Sequence, residues 1–346
     1  MSKEKKLSKI DTLQAIRAFA SIAVMLFHGT QIIHERLDYL FLNNLFIAGF
    51  SGVDIFFVLS RFIILYTSNS NSIDSSIFLK KRFIRIYPIY WLVTLLLVIA
   101  FFISPSTENA HKNDLYTILG SITLFPQKDY VIGVAWTLTY EVIFYLFFAF
   151  TYFRKPRYLF YGFCPWIISI LLVFIFNIKT NIHSIDILLN PVILNFALGC
   201  LVAFIYNRYK YNTNAGWYFW IGLILFTVSW LFYYQLNLNH SNLLSNDISR
   251  VYLFGLPATV LIFGSLYLKN NVPKWLVYLG DASYSLYLVH GTVLSILIKI
   301  IIKFNLSSQF INFYGALSLF VTTLILSCCF YSFIEKNLIK LIKSYA

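Results

Sequence analysis

The chain has 346 residues, of which 59% are hydrophobic and only 12% are charged, and its formal net charge is +13. A soluble domain of this length carries far more charged surface, so the composition excludes a soluble globular protein. An excess of Lys and Arg can indicate nucleic-acid binding. Here, however, the basic residues form short clusters between apolar runs, which is typical of the loops of a membrane protein, and we expect no nucleic-acid partner.

Apolar runs of about 18 residues or more recur along the chain, and each could cross a bilayer core of about 30 Å as a helix. They predict an all-α, polytopic membrane bundle of about ten transmembrane helices, with residues 1–346 as a single domain and no appended soluble domain. None of the four Cys residues fits a metal-ligand spacing, so no metal site is expected. The predicted spans are 10–30, 45–66, 88–104, 134–152, 158–177, 186–206, 217–235, 249–268, 277–302 and 311–334.

The basic residues between these spans predict the topology. If the N-terminus is cytoplasmic, 18 of the 27 Lys and Arg residues lie on the inner side, five lie in outer loops and four lie within spans. Short cytoplasmic loops carry an excess of Lys and Arg, so both termini are expected in the cytoplasm. The first span is long and lacks an obvious cleavage site, so it is not expected to be a signal peptide.

The first span contains two ionisable residues, Arg17 and His28, eleven positions apart. At about 100° and 1.5 Å per residue they share one helix face, about 16 Å apart along the axis. An isolated His in a span is as often a packing residue as a functional one. An Arg aligned with it favours a polar cavity inside the bundle, because ionisable side chains in spans usually face such cavities or each other.

Two further spans carry polar groups in apolar surroundings. The second contains Asp54, Ser60 and Arg61 within "GVDIFFVLSRF", and the fourth contains Glu141 within "AWTLTYEVIFYLFF". Glu141 has two open interpretations, a functional carboxylate or a structural ion pair with Arg17 or Arg61. A buried His, a carboxylate and an Arg together provide a base, an orienting group and a charge stabiliser, which group transfer requires.

The predicted cytoplasmic loop before the third span reads "FLKKRFIRIYPIYW", residues 78–91. Its basic residues are either a positive-inside anchor or a phosphate clamp, since guanidinium groups bind phosphate bidentately. Arg82 and Arg85 could share a helix face if the third span begins early. Pro88 would then suit the first turn of that helix.

Five motifs occur in the order of a known family: the R-x10-H of Arg17 and His28, "GVDIFFVLS", the R-x-x-R of Arg82 and Arg85 followed by "IYPIYW", "WTLTYEVIFY", and "SYSLYLVH" at 283–290. The chain resembles acyltransferase family 3 of integral-membrane proteins over nearly its whole length, up to "YSFIEKNL" at 331–338. It resembles in particular the members that O-acetylate bacterial exopolysaccharides and lipopolysaccharide O-antigens.

The resemblance implies an O-acetyltransferase of the bacterial inner membrane. Acetyl-CoA would bind from the cytoplasm, and the acetyl group would pass to a hydroxyl of a surface glycan or of its lipid-linked precursor, with membrane lipids as further partners. The family pattern assigns His28, Glu141 and Arg17 to catalysis and Arg82 and Arg85 to donor binding, and we add Arg17, Ser60 and Arg61 to the donor set.

The chain departs from the family pattern at Arg61, where Ser-Gly is usual and this chain has Ser60-Arg61. The long cation could narrow the cavity, contact a donor phosphate, or alter the activity. We expect Arg61 to line the donor cavity and to contact Glu141 or a donor phosphate. Two other functions also fit buried polar groups: a transporter or flippase of a lipid-linked glycan, and a structural or signalling protein whose buried charges are only paired.

Overall fold

The computed structural model describes residues 10–70, 74–103, 114–178, 180, 182–209, 213–239, 247–268 and 271–345. Within these residues ten helical segments are long and apolar enough to cross a membrane, as the sequence predicts. We label them α1 to α10. Their bounds are Asp11–Leu37, Phe41–Ser68, Ser75–Ile103, Gly133–Thr151, Pro156–Ile175, His183–Tyr209, Asn214–Leu238, Asp247–Ser265, Ser283–Lys303 and Phe313–Tyr345.

Several of these segments depart locally from a regular α-helix. The segment Phe41–Ser51 at the start of α2 contains 3₁₀-helical turns interrupted by the left-handed residues Leu42, Asn43 and Asn44, and α6 consists of a short helix His183–Leu188 followed by Leu194–Tyr209. A π-helical turn interrupts α8 at Val251–Gly255 and α10 at Tyr331–Glu335. Three shorter helices stand outside the ten segments, at Leu115–Thr123, Lys274–Asp281 and Ser307–Phe310.

The reversal between α1 and α2 follows from residues that tolerate a left-handed backbone. Asp38 ends α1 with φ 52°, and its amide donates to the carbonyl oxygen of His34. Asn43 and Asn44 also have positive φ angles, 49° and 62°. Asp and Asn adopt this conformation more readily than most residues, because their short polar side chains bond locally. The chain therefore turns back and brings α2 against α1.

Helix α1 lies at the centre of the bundle, where it packs against α2, α9 and the helix Lys274–Asp281. Small residues allow the close approach: a Cβ added at Gly52 of α2 would lie 2.3 Å from the carbonyl oxygen of Ala20. Such small-residue contacts are typical of packed membrane helices. The face of α3 that points away from the bundle carries exposed Leu95, Ile99 and Ile103, as expected for contact with lipid.

A buried polar cluster joins three of the helices. The Nε atom of Arg250 on α8 donates to both carboxylate oxygens of Asp54 on α2, at 3.0 and 2.8 Å. The amide of Asn195 on α6 donates to the same carboxylate at 2.7 Å. Two of the intramembrane charges found in the sequence therefore neutralise each other inside the bundle.

The bounds of α3 correct one expectation and explain another. The helix begins at Ser75, 13 residues before the predicted start of the span, so Arg82 and Arg85 lie within it and share a face. Pro88 consequently lies inside the helix and not in its first turn. Its ring nitrogen cannot donate to the carbonyl of Ile84, a defect that membrane helices tolerate when neighbouring groups compensate.

The end of α10 corrects a second expectation. The tenth span is predicted to end at residue 334, so residues 335–343 are expected in a cytoplasmic tail. Instead Glu335 is buried, and the hydroxyl of Ser285 on α9 donates to its carboxylate. The burial follows from helix packing, because α10 continues past the predicted end of its span and stays in contact with α9.

Which side of the membrane each end faces stays a prediction. Eight of the basic residues that enter the topology argument lie outside the described residues: Lys3, Lys5, Lys6, Lys9, Lys112, Lys179, Lys210 and Lys269.

Candidate active site

Most of the residues predicted to form the site line one cavity near the N-terminal end of α1. This arginine cavity has a volume of about 120 Å³ and is formed by α1, α2, α3, α4 and α9. Of the predicted donor-binding and catalytic residues, five line it: Arg17, Ser60, Arg82, Arg85 and Glu141. Helix packing thus brings together side chains that are up to 124 positions apart in the sequence.

Arg82 and Arg85 enter the cavity from α3, whereas Lys80 and Lys81 are not among its lining residues. The guanidinium of Arg82 lies near the rings of Phe78 and Tyr145, at 5.3 and 5.8 Å from their centroids. Its Nε atom is buried and has no hydrogen-bond partner within the described residues. This arrangement leaves a donor available to a ligand in the cavity.

Arg17 is held by a residue of the "SYSLYLVH" motif. Its Nε and Nη2 atoms both donate to the hydroxyl oxygen of Ser283, at 3.1 and 2.8 Å. Ser283 is fully buried at the first position of α9. The sequence analysis quotes this motif but assigns no role to Ser283. No signal in the sequence marked this contact, because the packing of α1 against α9 brings together residues 266 positions apart.

Glu141 is paired with Arg61, one of the two partners that the sequence analysis considered. The Oε2 atom of Glu141 lies 2.6 Å from Nη1 of Arg61. Ser60 bridges the pair, because its hydroxyl donates to Glu141 at 3.3 Å and accepts from Arg61 at 3.0 Å. The carboxylate of Glu141 lines the cavity, but Arg61, which lies outside the lining, already neutralises it.

Arg61 contacts Glu141 as predicted, but it is not among the residues that line the arginine cavity. Its side chain is fully buried, with the guanidinium carbon 3.7 Å from the ring centroid of Phe196 and 4.2 Å from that of Phe144. A cation between two aromatic faces is attracted by both rings. The aromatic neighbours and the ion pair hold Arg61 behind the wall of the cavity.

The lining of the arginine cavity contains more arginines than carboxylates, although Asp281 and Glu335 also act electrostatically on Arg17 from outside the lining. Three arginines line it, Arg17, Arg82 and Arg85, and across the described ranges no carboxylate forms an ion pair with any of them. The carboxylate in the lining, Glu141, already forms an ion pair with Arg61. Unpaired cations in a partly buried cavity favour an anionic ligand, and guanidinium groups suit phosphate in particular.

His28 lies in a second cavity, further along α1. This histidine cavity has a volume of about 530 Å³, and its lining includes His28 and Arg36 of α1 and His290 and Lys299 of α9. The imidazole rings of His28 and His290 are stacked, with centroids 5.5 Å apart and planes inclined by 28°. Arg17 and His28 thus share one face of α1 but line two different cavities.

The wall between the cavities contains a hydrogen bond between α4 and α9. The hydroxyl groups of Thr137 and Tyr287 lie 2.8 Å apart, and both residues line the arginine cavity. Their near neighbours Val134 and Leu288 line the histidine cavity. The two cavities therefore lie end to end along α1, and this contact stands between them.

The structure does not bring Glu141 to His28, although the sequence analysis expects that carboxylate to orient the imidazole or assist it. Glu141 lines the arginine cavity and bonds to Arg61 and Ser60, whereas His28 lines the histidine cavity beside His290. The expectation was based on residue types alone, because the sequence does not show which side chains of different helices meet. The imidazole that packs against His28 belongs to His290, which the sequence analysis did not select.

Comparisons with known proteins identify the family of the chain. The family model of the acyltransferase domain of acyltransferase family 3 matches residues 10–332, a range that includes every site residue named above. The exopolysaccharide production protein ExoZ of Rhizobium meliloti (strain 1021) is 26% identical over 302 residues, which cover 79% of this chain and 85% of that protein.

Two further relatives are putative transferases. A putative O-acetyltransferase of Staphylococcus aureus (strain COL) is 24% identical over 85% of this chain, and the chain spans about half of it, 52%. A putative acetyltransferase of Acidianus two-tailed virus is 26% identical over 80% of each chain. No solved structure matches. The match over residues 10–332, with the ten membrane-spanning helices, shows that the chain is a multi-pass membrane enzyme belonging to acyltransferase family 3.

Proposed function

We propose that this acyltransferase is an O-acetyltransferase that moves an acetyl group from acetyl-CoA to a hydroxyl of a bacterial surface glycan or of its lipid-linked precursor. The observation that carries the proposal is the separation of two sites along α1. Three arginines that form no ion pair with a carboxylate of the described residues line one cavity, and His28 lines another about 16 Å away by helix rise. An anionic thioester donor and a neutral hydroxyl acceptor require this division.

The donor would bind in the arginine cavity. Arg82 and Arg85 would bind phosphate oxygens of the donor, because both guanidinium groups line the cavity from the same face of α3. Arg17, oriented by Ser283, would lie along the acyl arm and stabilise the charge that develops on the thioester oxygen. Ser60 would contribute its hydroxyl to the same cavity.

The acceptor would bind in the histidine cavity, where His28 removes the proton from the attacking hydroxyl. The hydroxyl oxygen then bonds to the carbonyl carbon of the thioester, the carbon–sulfur bond breaks, and the thiolate of CoA leaves and takes up a proton. Alternatively His28 itself accepts the acetyl group and passes it to the hydroxyl. In either route the acyl group has to pass the contact between Thr137 and Tyr287.

The comparisons support the substrate class. One relative is named as an exopolysaccharide production protein and another as a putative O-acetyltransferase. We place the protein in the bacterial cytoplasmic membrane with both termini inside, because that orientation puts most basic residues in cytoplasmic segments. Membership of an acyltransferase family favours transfer over the transport of a glycan, which buried polar groups also allow.

The test is the ester content of the cell's glycans, measured by NMR in cells with the protein, without it, and with His28→Ala in its place. We expect O-acetyl signals only with the intact protein. In proteoliposomes, radiolabelled acetyl-CoA should transfer its label to glycan that has been stripped of esters with alkali. Equal O-acetyl content in the three strains would overturn the proposal.

A further inference from the structure

His290 is a second imidazole at the proposed acceptor site, and nothing in the mechanism above uses it. It lies on α9, is 2% exposed, and lines the histidine cavity together with His28 of α1. The two rings are stacked at 5.5 Å. Two imidazoles from different helices therefore face one cavity.

The hydrogen bond of His290 to the backbone determines which ring nitrogen carries the proton. Its Nδ1 atom lies 2.9 Å from the carbonyl oxygen of Leu286. A carbonyl oxygen only accepts hydrogen bonds, so Nδ1 is the donor. In the neutral imidazole Nε2 then bears a lone pair and acts as an acceptor.

That acceptor has no donor. Nε2 of His290 is buried and has no hydrogen-bond partner in the part of the chain that the structure describes. Buried polar atoms normally have partners, and an exception calls for an explanation. Because His290 lines the cavity beside His28, a donor supplied by a ligand in that cavity would satisfy the atom.

We propose that Nε2 of His290 accepts a hydrogen bond from a second hydroxyl of the acceptor sugar, adjacent to the hydroxyl that His28 deprotonates. A hydroxyl carries one hydrogen, and His28 takes the hydrogen of the reacting group, so His290 requires a different donor. Because the ring centroids lie only 5.5 Å apart, one sugar can contact both imidazoles at once. The acceptor class is therefore a sugar with two adjacent free hydroxyls, one acetylated and the other held in place.

This inference rests on the proposed function, and His290 acts in it as an acceptor-binding residue. It predicts a change in the KM for the glycan, whereas a general base changes kcat. Substitution of a residue that only packs against His28 would not change the KM for glycan or kcat separately from the other. The comparison of KM with kcat therefore separates the three roles.

The experiment uses the full chain in proteoliposomes, with acetyl-CoA and alkali-stripped glycan from the same cells as probes. His290→Asn keeps an amide near Nδ1 but has no acceptor at the position of Nε2, whereas His290→Gln places its amide oxygen there. We expect His290→Asn to raise the KM for glycan roughly three- to tenfold, with kcat and the KM for acetyl-CoA unchanged. His290→Gln should stay within about threefold of wild type.

The matched control is His34→Leu, which removes an exposed His near the end of α1 and should change no constant. NMR of the product should locate each new acetyl group beside a free hydroxyl. An unchanged glycan KM in His290→Asn, or acetylation of positions without an adjacent free hydroxyl, would overturn the inference.

The two proposals fail in different ways. If the wild-type protein transfers no acetyl group to glycan, the proposed function is wrong. If the wild type transfers acetyl, His28→Ala does not, and His290→Asn keeps the wild-type KM, only the role of His290 is wrong.

Discussion

Arg61 and Glu141 form an ion pair of 2.6 Å between α2 and α4, and this pair relates the unusual residue of the second span to the carboxylate of the fourth. Arg61 is fully buried and Glu141 is 13% exposed. Removing one partner of a buried pair leaves the other charge uncompensated, at a cost of about 3–5 kcal/mol. The pair therefore gives the first prediction.

Arg61→Leu and Glu141→Gln should each destabilise the protein by roughly 3 kcal/mol, because each leaves a buried charge without its partner. The double variant should be more stable than the sum of the two changes predicts. Unfolding in detergent, measured as a double-mutant cycle, gives the coupling free energy. Strictly additive effects would show that the pair contributes no stability.

Arg82→Ala or Arg85→Ala should raise the KM for acetyl-CoA about ten- to a hundredfold. Each removes a charge-assisted contact worth about 1.5–3 kcal/mol from a cavity whose three arginines form no ion pair with the carboxylates that the structure describes. Lys80→Ala and Lys81→Ala are the matched controls, since these residues lie on the same helix outside the cavity lining. If the arginine variants have the same KM for acetyl-CoA as the lysine variants, Arg82 and Arg85 serve only as a membrane anchor.

His28→Ala should abolish detectable transfer, or lower its rate by about 10²–10⁴-fold if His28 acts only as a general base. Expression and membrane insertion should stay normal, because α1 is held by many apolar contacts along its length.

In the wild type the rate should fall in acid, because an imidazole that has bound a proton cannot accept another. Retained glycan acetylation in a well-expressed His28→Ala strain would contradict the mechanism.

Reporter fusions after Ala346 and in the loop 236–248 should lie on opposite sides of the membrane. Ten spans place both termini on one side and the loop between α7 and α8 on the other. Accessibility to an impermeant thiol reagent at single introduced Cys residues provides an independent measurement. The same accessibility at both positions would contradict the predicted topology.

The sequence by itself determined the architecture, for reasons set by the bilayer. Only helices of about 20 apolar residues satisfy their own backbone hydrogen bonds across it, so the number of spans follows from the apolar runs. Helical periodicity also placed Arg17 and His28 on one face of α1. For α3 the sequence left the start open, because apolar runs mark the membrane core and a helix continues beyond it to Ser75.

Only the tertiary structure decided which polar groups meet. Periodicity assigns a residue to a face of its helix, but the neighbour on that face depends on how helices far apart in sequence pack. Glu141 was expected beside His28 and instead pairs with Arg61, while His28 packs against His290, 262 positions away. Helix packing likewise divided one polar face of α1 between two cavities, because α4 and α9 meet at Thr137 and Tyr287 between them.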